Sequence, residues 1–381
     1  MKKQILSFSI IIMILTSLAG CSQQNAEEKQ APAETAEITD TTEAADEMPE
    51  DETLGHDSDT IMFTDSTGRV IELPENIERI APSGPLAQIV LYTLCPDKLV
   101  GFASDLSEIQ FEYIDEKYIN LPVFGNFYAE TLNLETVMAA DPQVIIDIGE
   151  AKPTVQEDME GIQDKTGIPS VFVEMELDSM VSAYETLGEL LGEEEQANNL
   201  AGYIGNTLKE TKEKSAGIAE NDKVTVYYGQ DDGLTAVIKG TVHADVIDII
   251  GADNVADVEE TVRGGASEIS MEQLMLWDPD VILFAPLSIY ETVSSKPEWQ
   301  ELRAVTEGRY YEVPEGPYNW MGRPPSVNRI LGVKWLSDLL YPEVFQYDMV
   351  KETQDFYELF YHCEISAEKA EELLSRSTIK Q

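Results

Sequence analysis

The stretch LETVMAADPQVII at residues 134–146 decides the fold, because a near copy, MEQLMLWDPDVIL, recurs 137 positions later at residues 271–283. In each copy, apolar residues at helical spacing precede an Asp-Pro pair, and an apolar run follows it. Proline cannot continue a helix and disfavours helical geometry in the residue before it, so each Asp-Pro pair marks a helix end. The runs that follow are typical of strands buried on both faces, as in a parallel sheet.

A helix followed by a buried strand is the repeating unit of doubly wound α/β folds. The spacing of the two copies is far longer than a solenoid repeat. The sequence therefore predicts two related, Rossmann-like α/β lobes, at residues 61–190 and 219–381. Between them, residues 191–218 predict one helix of about 24 residues, which at about 1.5 Å per residue is about 36 Å long and can join the lobes.

Other apolar runs predict the remaining strands, since each is followed by Gly, Pro, Ser or Asp, residues common where a strand enters a loop. In the first lobe these runs lie at residues 80, 99–102 and 170–173, and in the second at residues 224–228, 236–238 and 310–313. Residues 65–73, DSTGRVIEL, predict a small hairpin that turns at Thr67 and Gly68.

The N-terminus has the pattern of a secretory signal at residues 1–20. Two lysines precede an apolar run that is too short to span a bilayer, and small residues follow. The string Leu-Ala-Gly-Cys at residues 18–21 resembles a bacterial lipobox. That resemblance implies cleavage before Cys21 and lipidation of its thiol, which would tie the protein to a membrane without spanning it. The alternative is an ordinary signal peptide with a chance cysteine.

Residues 21–60 are rich in Glu, Asp, Thr, Ala and Pro, and we expect a disordered acidic tether there, because such a segment buries too little apolar surface to fold. The formal net charge of −47 argues against a nucleic-acid partner, whose phosphates need clustered Lys and Arg. An arginine that faces a pocket is therefore notable in this chain.

The cysteines and histidines argue against metal sites and enzymes. Cys95 and Cys363 lie far apart, which favours buried thiols over a disulfide. Of three histidines only His243 lies well inside the body, whereas a site for a free metal ion needs several converging ligands. A catalytic triad would also require His243, and no Gly-x-Ser-x-Gly or phosphate-binding loop occurs. We therefore expect a binding protein without a resident metal or cofactor. We expect His243 to be a neighbour of a helix N-terminus, the alternative being that it faces a cleft between the lobes.

Three pieces of sequence, in this order, resemble one family. They are GRVIELPENIERIAPSGP at residues 68–85, the two units that run from Glu to Asp-Pro, and GRPPSVNRILGVKWL at residues 322–336. With the lipoprotein tether and two lobes, the chain resembles the substrate-binding proteins of ABC importers for iron complexes, haem and vitamin B12, from about residue 61 to the end. The resemblance implies the class III periplasmic-binding-protein fold, no catalysis, and an extracytoplasmic location.

The resemblance also implies an ABC permease dimer as partner. In that family each lobe carries a surface glutamate that meets arginines of the permease, and the matching positions here are Glu135 and Glu272. Each lies six residues before the Asp of its Asp-Pro pair. The alternative is that both are merely helix N-terminal acids favoured by the helix dipole.

Ligand contacts are expected where the carboxyl ends of strands from both lobes meet across a cleft. Residues 317–323 form the richest loop, before an amphipathic helix predicted to begin near Ser326. Tyr318 and Trp320 offer flat apolar faces, and Arg323 offers a planar fork for anionic oxygens. Alternatively, Trp320 packs under the loop and Arg323 pairs with a local acid. The further candidates in other loops are Arg263, Tyr128 and Lys152, whereas Arg329 is expected to form a structural ion pair.

These arginines favour an anionic ferric siderophore as the ligand. Haem is the first alternative, and Tyr318, Met321 or Tyr128 could then serve as its axial ligand. A corrinoid and a small oxyanion such as molybdate or tungstate are further alternatives within the same fold, and a secreted hydrolase is the alternative outside it.

Overall fold

The computed structural model describes residues 60–379. The predicted signal, Cys21 and all of the tether except Thr60 lie outside the described residues. Within the described range, no helix combines the length and the apolar character that crossing a bilayer requires.

The first lobe is built on a parallel sheet of three strands, in the order β3-β4-β5, preceded by an antiparallel hairpin of β1 and β2. The strands are β1 (Thr60–Thr64), β2 (Val70–Pro74), β3 (Ile80–Pro82), β4 (Val144–Gly149) and β5 (Ser170–Glu174). The helices are α1 (Pro85–Leu94), α2 (Glu108–Phe111), α3 (Leu134–Ala140), α4 (Val155–Thr166) and α5 (Met180–Leu191). The predicted hairpin is confirmed, and the Asp65 carboxylate closes its turn by accepting a hydrogen bond from the Thr67 amide.

Helix α6 (Glu194–Ser215) then leads to the second lobe, and it begins and ends close to the predicted residues. The strands of the second lobe are β6 (Thr225–Gln230), β7 (Thr235–Val237), β8 (Asp253–Asn254), β9 (Ala266–Glu268), β10 (Val281–Phe284) and β11 (Tyr310–Glu312). Its helices are α7 (Asp245–Ile249), α8 (Met271–Trp277), α9 (Tyr290–Val293), α10 (Arg303–Thr306), α11 (Asn328–Leu340), α12 (Pro342–Phe345), α13 (Met349–Tyr361) and α14 (Ala367–Leu374).

The second sheet is mixed, with strand order β11-β10-β6-β7-β9 and with β8 also paired to β6. Strands β6, β8, β10 and β11 are parallel, although no strand was predicted at β8, whereas β7 and β9 pair in the antiparallel sense. The predicted strand at residues 99–102 is wrong. That segment forms only isolated β-bridges, because Leu99 pairs with Ile80 of β3 whereas Phe102 pairs with Val123 instead.

One hydrophobic core runs through both lobes. It contains buried residues of β4, α1 and α5 from the first lobe, of α6, and of β6, α11 and α13 from the second. Helix α13, near the C-terminus, also packs on α1 of the first lobe. Smaller cores cover the outer face of each sheet. The two lobes therefore share a continuous apolar interior along α6, rather than being connected only where the chain passes from one lobe to the other.

The repeated phrase folds the same way twice. Helices α3 and α8 each end at an Asp in the left-handed conformation, Asp141 or Asp278, and the strand begins three residues later. Position by position, residues 134–142 and 271–279 show the same order of buried, half-buried and exposed side chains. The prediction of two matching helix–strand units is confirmed.

The segment at residues 314–325, which links β11 to α11, lies directly on that helix. A Cβ atom at Gly332 of α11 would overlap the carbonyl oxygen of Trp320, so only glycine permits this approach. Helix α11 begins at Asn328, and its first ten residues are all buried. The predicted amphipathic pattern was wrong, because this segment and neighbouring helices cover α11 on every side.

Gly332→Ala should destabilise the fold by about 1–3 kcal/mol, since the added methyl group forces the loop away from the helix. Gly202→Ala is the matched control, because Gly202 lies on α6 with open space around its Cβ position. The Gly202→Ala variant should have a free energy of unfolding up to about 1 kcal/mol higher than the unaltered protein, because alanine favours the helix more than glycine does. Urea unfolding followed by circular dichroism measures both, and equal stabilities would contradict the packing described for Gly332.

Candidate functional site

A cleft of about 340 Å³ opens between the two lobes. Its second-lobe wall is Pro324 and Pro325, and its first-lobe wall comes from residues 84–87 and 147–150 with Asn126, Tyr128, Lys152 and Phe172. Strands β3 and β4 end beside the first-lobe wall. The cleft therefore forms at the carboxyl ends of parallel strands, where α/β folds bind ligands.

A buried carboxylate lies under the first-lobe wall. Asp147 on β4 accepts hydrogen bonds from the hydroxyl groups of Ser83 and Tyr128, and the Tyr128 hydroxyl oxygen lies 2.7 Å from the carboxylate oxygen. Burial raises the pKa of Asp147 because it penalises the charged form, while the two hydrogen bonds and the nearby Lys152 ammonium oppose the rise. This network fixes the position of Tyr128 at the cleft.

The exposed ammonium group of Lys152 lies over the Tyr128 ring, 4.0 Å from its centroid. That position allows a cation–π interaction and leaves the ammonium free of any ion pair with residues 60–379. The structure thus brings two sequence-predicted residues, Tyr128 and Lys152, together on one wall. The loop that carries Tyr128 depends on Gly125, which has a positive φ of 87° and touches the Thr131 carbonyl too closely for any side chain.

A cation adjoins the second-lobe wall, although it is not one of the residues that line the cleft. Arg323 directly precedes Pro324 and is exposed. Within residues 60–379 its guanidinium makes no hydrogen bond or ion pair, so the expected alternative of a local acid partner is not what the structure shows. An anion that enters the cleft can therefore meet an Arg323 fork that is not already bound.

His243 stands beside this arginine. Its Nδ1 lies 2.6 Å from the carbonyl oxygen of Gly322, and because a carbonyl only accepts hydrogen bonds, Nδ1 carries the proton. The pKa of His243 is lowered, chiefly by burial and also by the charges of Arg323 and Arg329, although the Gly322 bond and the Glu150 charge oppose this. The imidazole is therefore neutral near pH 7, with a lone pair on Nε2.

Helix α7, which follows His243, is held by a buried ion pair. The Arg329 guanidinium lies 2.6 Å from the Asp245 carboxylate and is almost fully buried. Burial lowers the pKa of Arg329, and the Asp245 charge counteracts it. The prediction that Arg329 forms a structural ion pair is confirmed, and this pair fixes the segment on which His243 sits.

A second cavity of about 460 Å³ adjoins the cleft, since Glu150 lines both. Its wall carries Glu176 and Asp178 from the first lobe and Asp245 and Asp248 from the second, with Lys212 of α6 as its one lining cation. The two cavities therefore differ in charge: the charged residues that line the cleft are Asp147, Glu150 and Lys152, and the exposed Arg323 directly precedes its wall residue Pro324.

Two predicted ligand residues require correction. Trp320 is fully buried, because its backbone lies against α11 and its ring belongs to the shared core. Tyr318 is also buried, and its hydroxyl accepts a hydrogen bond from the Gln88 amide of α1, which ties the lobes together inside the core. Neither ring is presented to the cleft. Met321 is fully buried as well, so Tyr318 and Met321 are not positioned as axial haem ligands.

Arg263 is exposed and has no hydrogen-bond or ion-pair partner within residues 60–379. Its loop turns at Gly264 and Gly265, whose amides donate to the Glu260 carboxylate. Gly265 packs on Thr241, two residues before His243. Arg263 thus lies on a loop next to the second-lobe wall, while the walls named above do not include it.

Sequence reasoning overlooked Asp147 and gave His243 too little weight. The signal for Asp147 was a single acid inside the apolar run VIIDIG, since an acid in a buried strand needs partners.

The described residues contain no cluster of three His, Cys, Asp or Glu side chains that could hold a free metal ion. Cys95 and Cys363 are free thiols, the first buried and the second half-buried.

The two predicted docking glutamates lie on the surface. Glu135 and Glu272 occupy the same position in the first turn of α3 and α8, and both are exposed. Hydrogen bonds from its own backbone amide and from the Ser270 hydroxyl lower the pKa of Glu272. Both carboxylates are therefore available to a cationic partner.

The His243 ring should titrate below its ordinary value of 6.5 and show the Nδ1–H tautomer in long-range ¹H–¹⁵N spectra, with His243→Gln identifying its signals. Because the folded-state pKa is depressed, the unfolded chain binds more protons between that pKa and 6.5. The contribution of His243 to stability is thus complete above pH 6.5 and is lost as the pH falls through the folded-state pKa. An unshifted titration, or the Nε2–H tautomer, would contradict the geometry.

Comparison with known proteins agrees with this architecture. A solute-binding protein of an ABC transporter from Sulfurospirillum deleyianum is 30% identical, with a TM-score of 0.76 over 82% of this chain and 99% of that one. The molybdate-binding protein MolA of Haemophilus influenzae, at 21% identity and a TM-score of 0.65, covers 80% of this chain and 99% of its own, and shows the fold alone.

The uncharacterized ABC transporter substrate-binding lipoprotein YvrC of Bacillus subtilis is 22% identical over 266 residues, which are 66% of this chain and 82% of YvrC. The periplasmic binding protein family matches residues 93–317, more than half of the chain. The two lobes joined by α6 are the class III architecture of such proteins. The chain belongs to the periplasmic binding protein family, as a substrate-binding protein of an ABC transporter rather than an enzyme.

Proposed function

We propose that this protein captures an anionic ferric siderophore outside the cytoplasm and delivers it to an ABC permease. The observation that carries the ligand class is a pair of cations without an ion-pair partner within residues 60–379: Lys152, which lines the first-lobe wall, and Arg323, which is exposed next to Pro324 of the second-lobe wall. In a chain with a formal charge of −47, most basic groups have acids to pair with. Two cations left unpaired around one cavity favour an anionic guest.

The remaining groups of the cleft suit a metal chelate. The planar Arg323 fork can bind two catecholate or carboxylate oxygens, and the Tyr128 ring with Pro324 and Pro325 supplies apolar surface for the chelator. The neutral Nε2 of His243 can donate its lone pair to iron that a chelator leaves partly open, because imidazole is a suitable iron ligand. These groups come from both lobes, so a guest is held on two sides.

The acidic second cavity gives the guest an orientation. Its lining acids Glu176, Asp178 and Asp248, together with Glu150, disfavour anionic oxygens, whereas Asp245 is already paired with Arg329. The charged iron-binding part of the guest is therefore favoured near Lys152 and Arg323, and neutral parts of the chelator near the acidic side.

The membrane attachment is also part of the proposal. The lipobox-like string that ends at Cys21 supports lipidation of that thiol, and the relative from Bacillus subtilis is named as a lipoprotein. The protein would then be held at the outer surface of the cell membrane by its lipid and the acidic tether.

Arg323→Gln and Lys152→Gln should each weaken binding of an anionic ferric catecholate by about tenfold, because each removes a charge-assisted contact. Lys209→Gln is the matched control, since Lys209 is exposed on α6 away from the cleft residues and also removes one positive charge. Arg263→Gln decides whether the neighbouring loop reaches the ligand. Tryptophan fluorescence and calorimetry with the purified protein measure the affinities.

The ligand panel contains ferric tris- and bis-catecholates, a cationic ferric hydroxamate, haemin, cobalamin and molybdate. We expect the anionic ferric catecholates to bind most tightly. Tight binding of haemin, cobalamin or molybdate with no binding of the ferric chelates would assign the cleft to that ligand and reject the siderophore. Tight binding that is unaffected by Arg323→Gln and Lys152→Gln would place the ligand elsewhere.

Charge reversal of both docking residues, Glu135→Lys with Glu272→Lys, should abolish uptake of the bound ferric chelate and leave its affinity for the purified protein unchanged. Glu343→Lys with Glu371→Lys is the matched control, because both of these glutamates are exposed and lie outside the repeated units. Uptake of ⁵⁵Fe-labelled chelate by cells that produce each variant makes the comparison. A loss of ligand affinity in the first pair, or normal uptake, would refute a docking role.

A further inference from the structure

We infer that each helix–strand unit docks on the permease through two side chains, an exposed methionine standing beside each docking glutamate. The methionines are Met138 on α3 and Met275 on α8, and each would enter an apolar recess next to a cation of the permease. The inference rests on the docking role proposed above for Glu135 and Glu272.

The two side chains of each pair lie on one helix face. Met138 follows Glu135 by three residues, as Met275 follows Glu272, and residues three apart are neighbours on a helix surface. Met138 is 45% exposed and Met275 is 36% exposed. Each unit therefore presents a charge and an apolar side chain side by side to solvent.

The orientation of each pair is fixed from beneath. Val137 and Leu274, the residues just before the methionines, are buried and hold their helices on the lobe. At the other end, Arg79 donates to the carbonyl oxygens of Ala140 and Asp141, and Arg303 donates to that of Asp278. Each short helix is thus anchored at its inner face and at its C-terminus, so the outer face keeps a defined direction.

Charge alone is a weak basis for docking at these positions. An ion pair between exposed side chains contributes little, because water and salt screen it. An apolar side chain that becomes buried beside the pair adds its own burial and excludes water from the charges, which strengthens their attraction. Methionine suits this role because its flexible, polarizable side chain adapts to an irregular recess.

The duplication points to the permease as the occupant. The same Glu and Met pair at equivalent positions of two lobes matches a partner that offers the same site twice, as a two-fold symmetric permease dimer does. The acidic charge of each unit is complementary to a cation there. The two units differ at the next residue, where Ala139 corresponds to Leu276, which is 79% exposed, so the second unit has the larger apolar surface.

The test measures binding of the full-length protein to the permease complex in lipid nanodiscs by biolayer interferometry. Met138→Ser with Met275→Ser should weaken binding at least about tenfold, since two apolar contacts are lost. Met62→Ser is the matched control, because Met62 is 66% exposed on β1, outside both units, and it should bind as the unaltered protein does. Binding of the ferric chelate should be unchanged in all three proteins.

Unaltered permease affinity in the methionine variant, together with weakened binding of the Glu135→Lys, Glu272→Lys protein, would overturn this inference and leave the glutamate docking intact. Unaltered affinity in both variants would overturn docking through these units altogether. Methionine-dependent binding to empty nanodiscs would assign the surface to lipid, and a methionine-dependent dimer in sedimentation velocity would assign it to a second copy of the chain. Either of those results also rejects the inference.

Discussion

The contact between the Trp320 carbonyl and Gly332 is the constraint on which the second-lobe wall depends. Because the loop lies directly on α11, the Trp320 side chain is driven into the core. The same contact fixes the next residues, so that the Gly322 carbonyl accepts a hydrogen bond from His243 and Arg323 is exposed next to the wall residue Pro324. A binding wall that results from core packing is rigid before the ligand arrives, which lowers the entropy lost on binding.

The shared core gives the cleft a similar rigidity. Gln88 of α1 donates to the Tyr318 hydroxyl across the boundary between the lobes, and α13 packs on α1. Opening the lobes widely would expose these buried groups and cost their hydrogen bonds and apolar contacts. We therefore expect recognition to depend on groups already in place, with Lys152 and Tyr128 on one wall and Arg323 and His243 near the other.

The helix–strand units could be predicted from the sequence because their signals are local. An Asp-Pro pair that follows a helical pattern and precedes β-branched residues is compatible with few structures other than a helix end and a strand. The ion pair of Arg329 could be predicted because a buried arginine needs an acidic partner. The sequence left two outcomes open for Trp320, contact with the ligand or packing under its loop, because the choice depends on Gly332 in the following helix meeting its backbone. Asp147 and His243 were similarly hidden, since their roles come from Ser83, Tyr128 and Gly322, which are distant in sequence or belong to another element.

The repeat also explains why its two copies retain surface residues as well as core residues. Folding an α/β unit requires the buried positions, Val137 or Leu274 and the strand after them. The helix dipole also favours an acid in the first turn, but folding places no demand on an exposed Met. Arg79 and Arg303 satisfy the C-terminal carbonyls of the two helices in the same way, although they come from different parts of their lobes. The glutamate and methionine positions recur on two separately built lobes, which is the arrangement that the proposed docking on a two-fold symmetric partner would use.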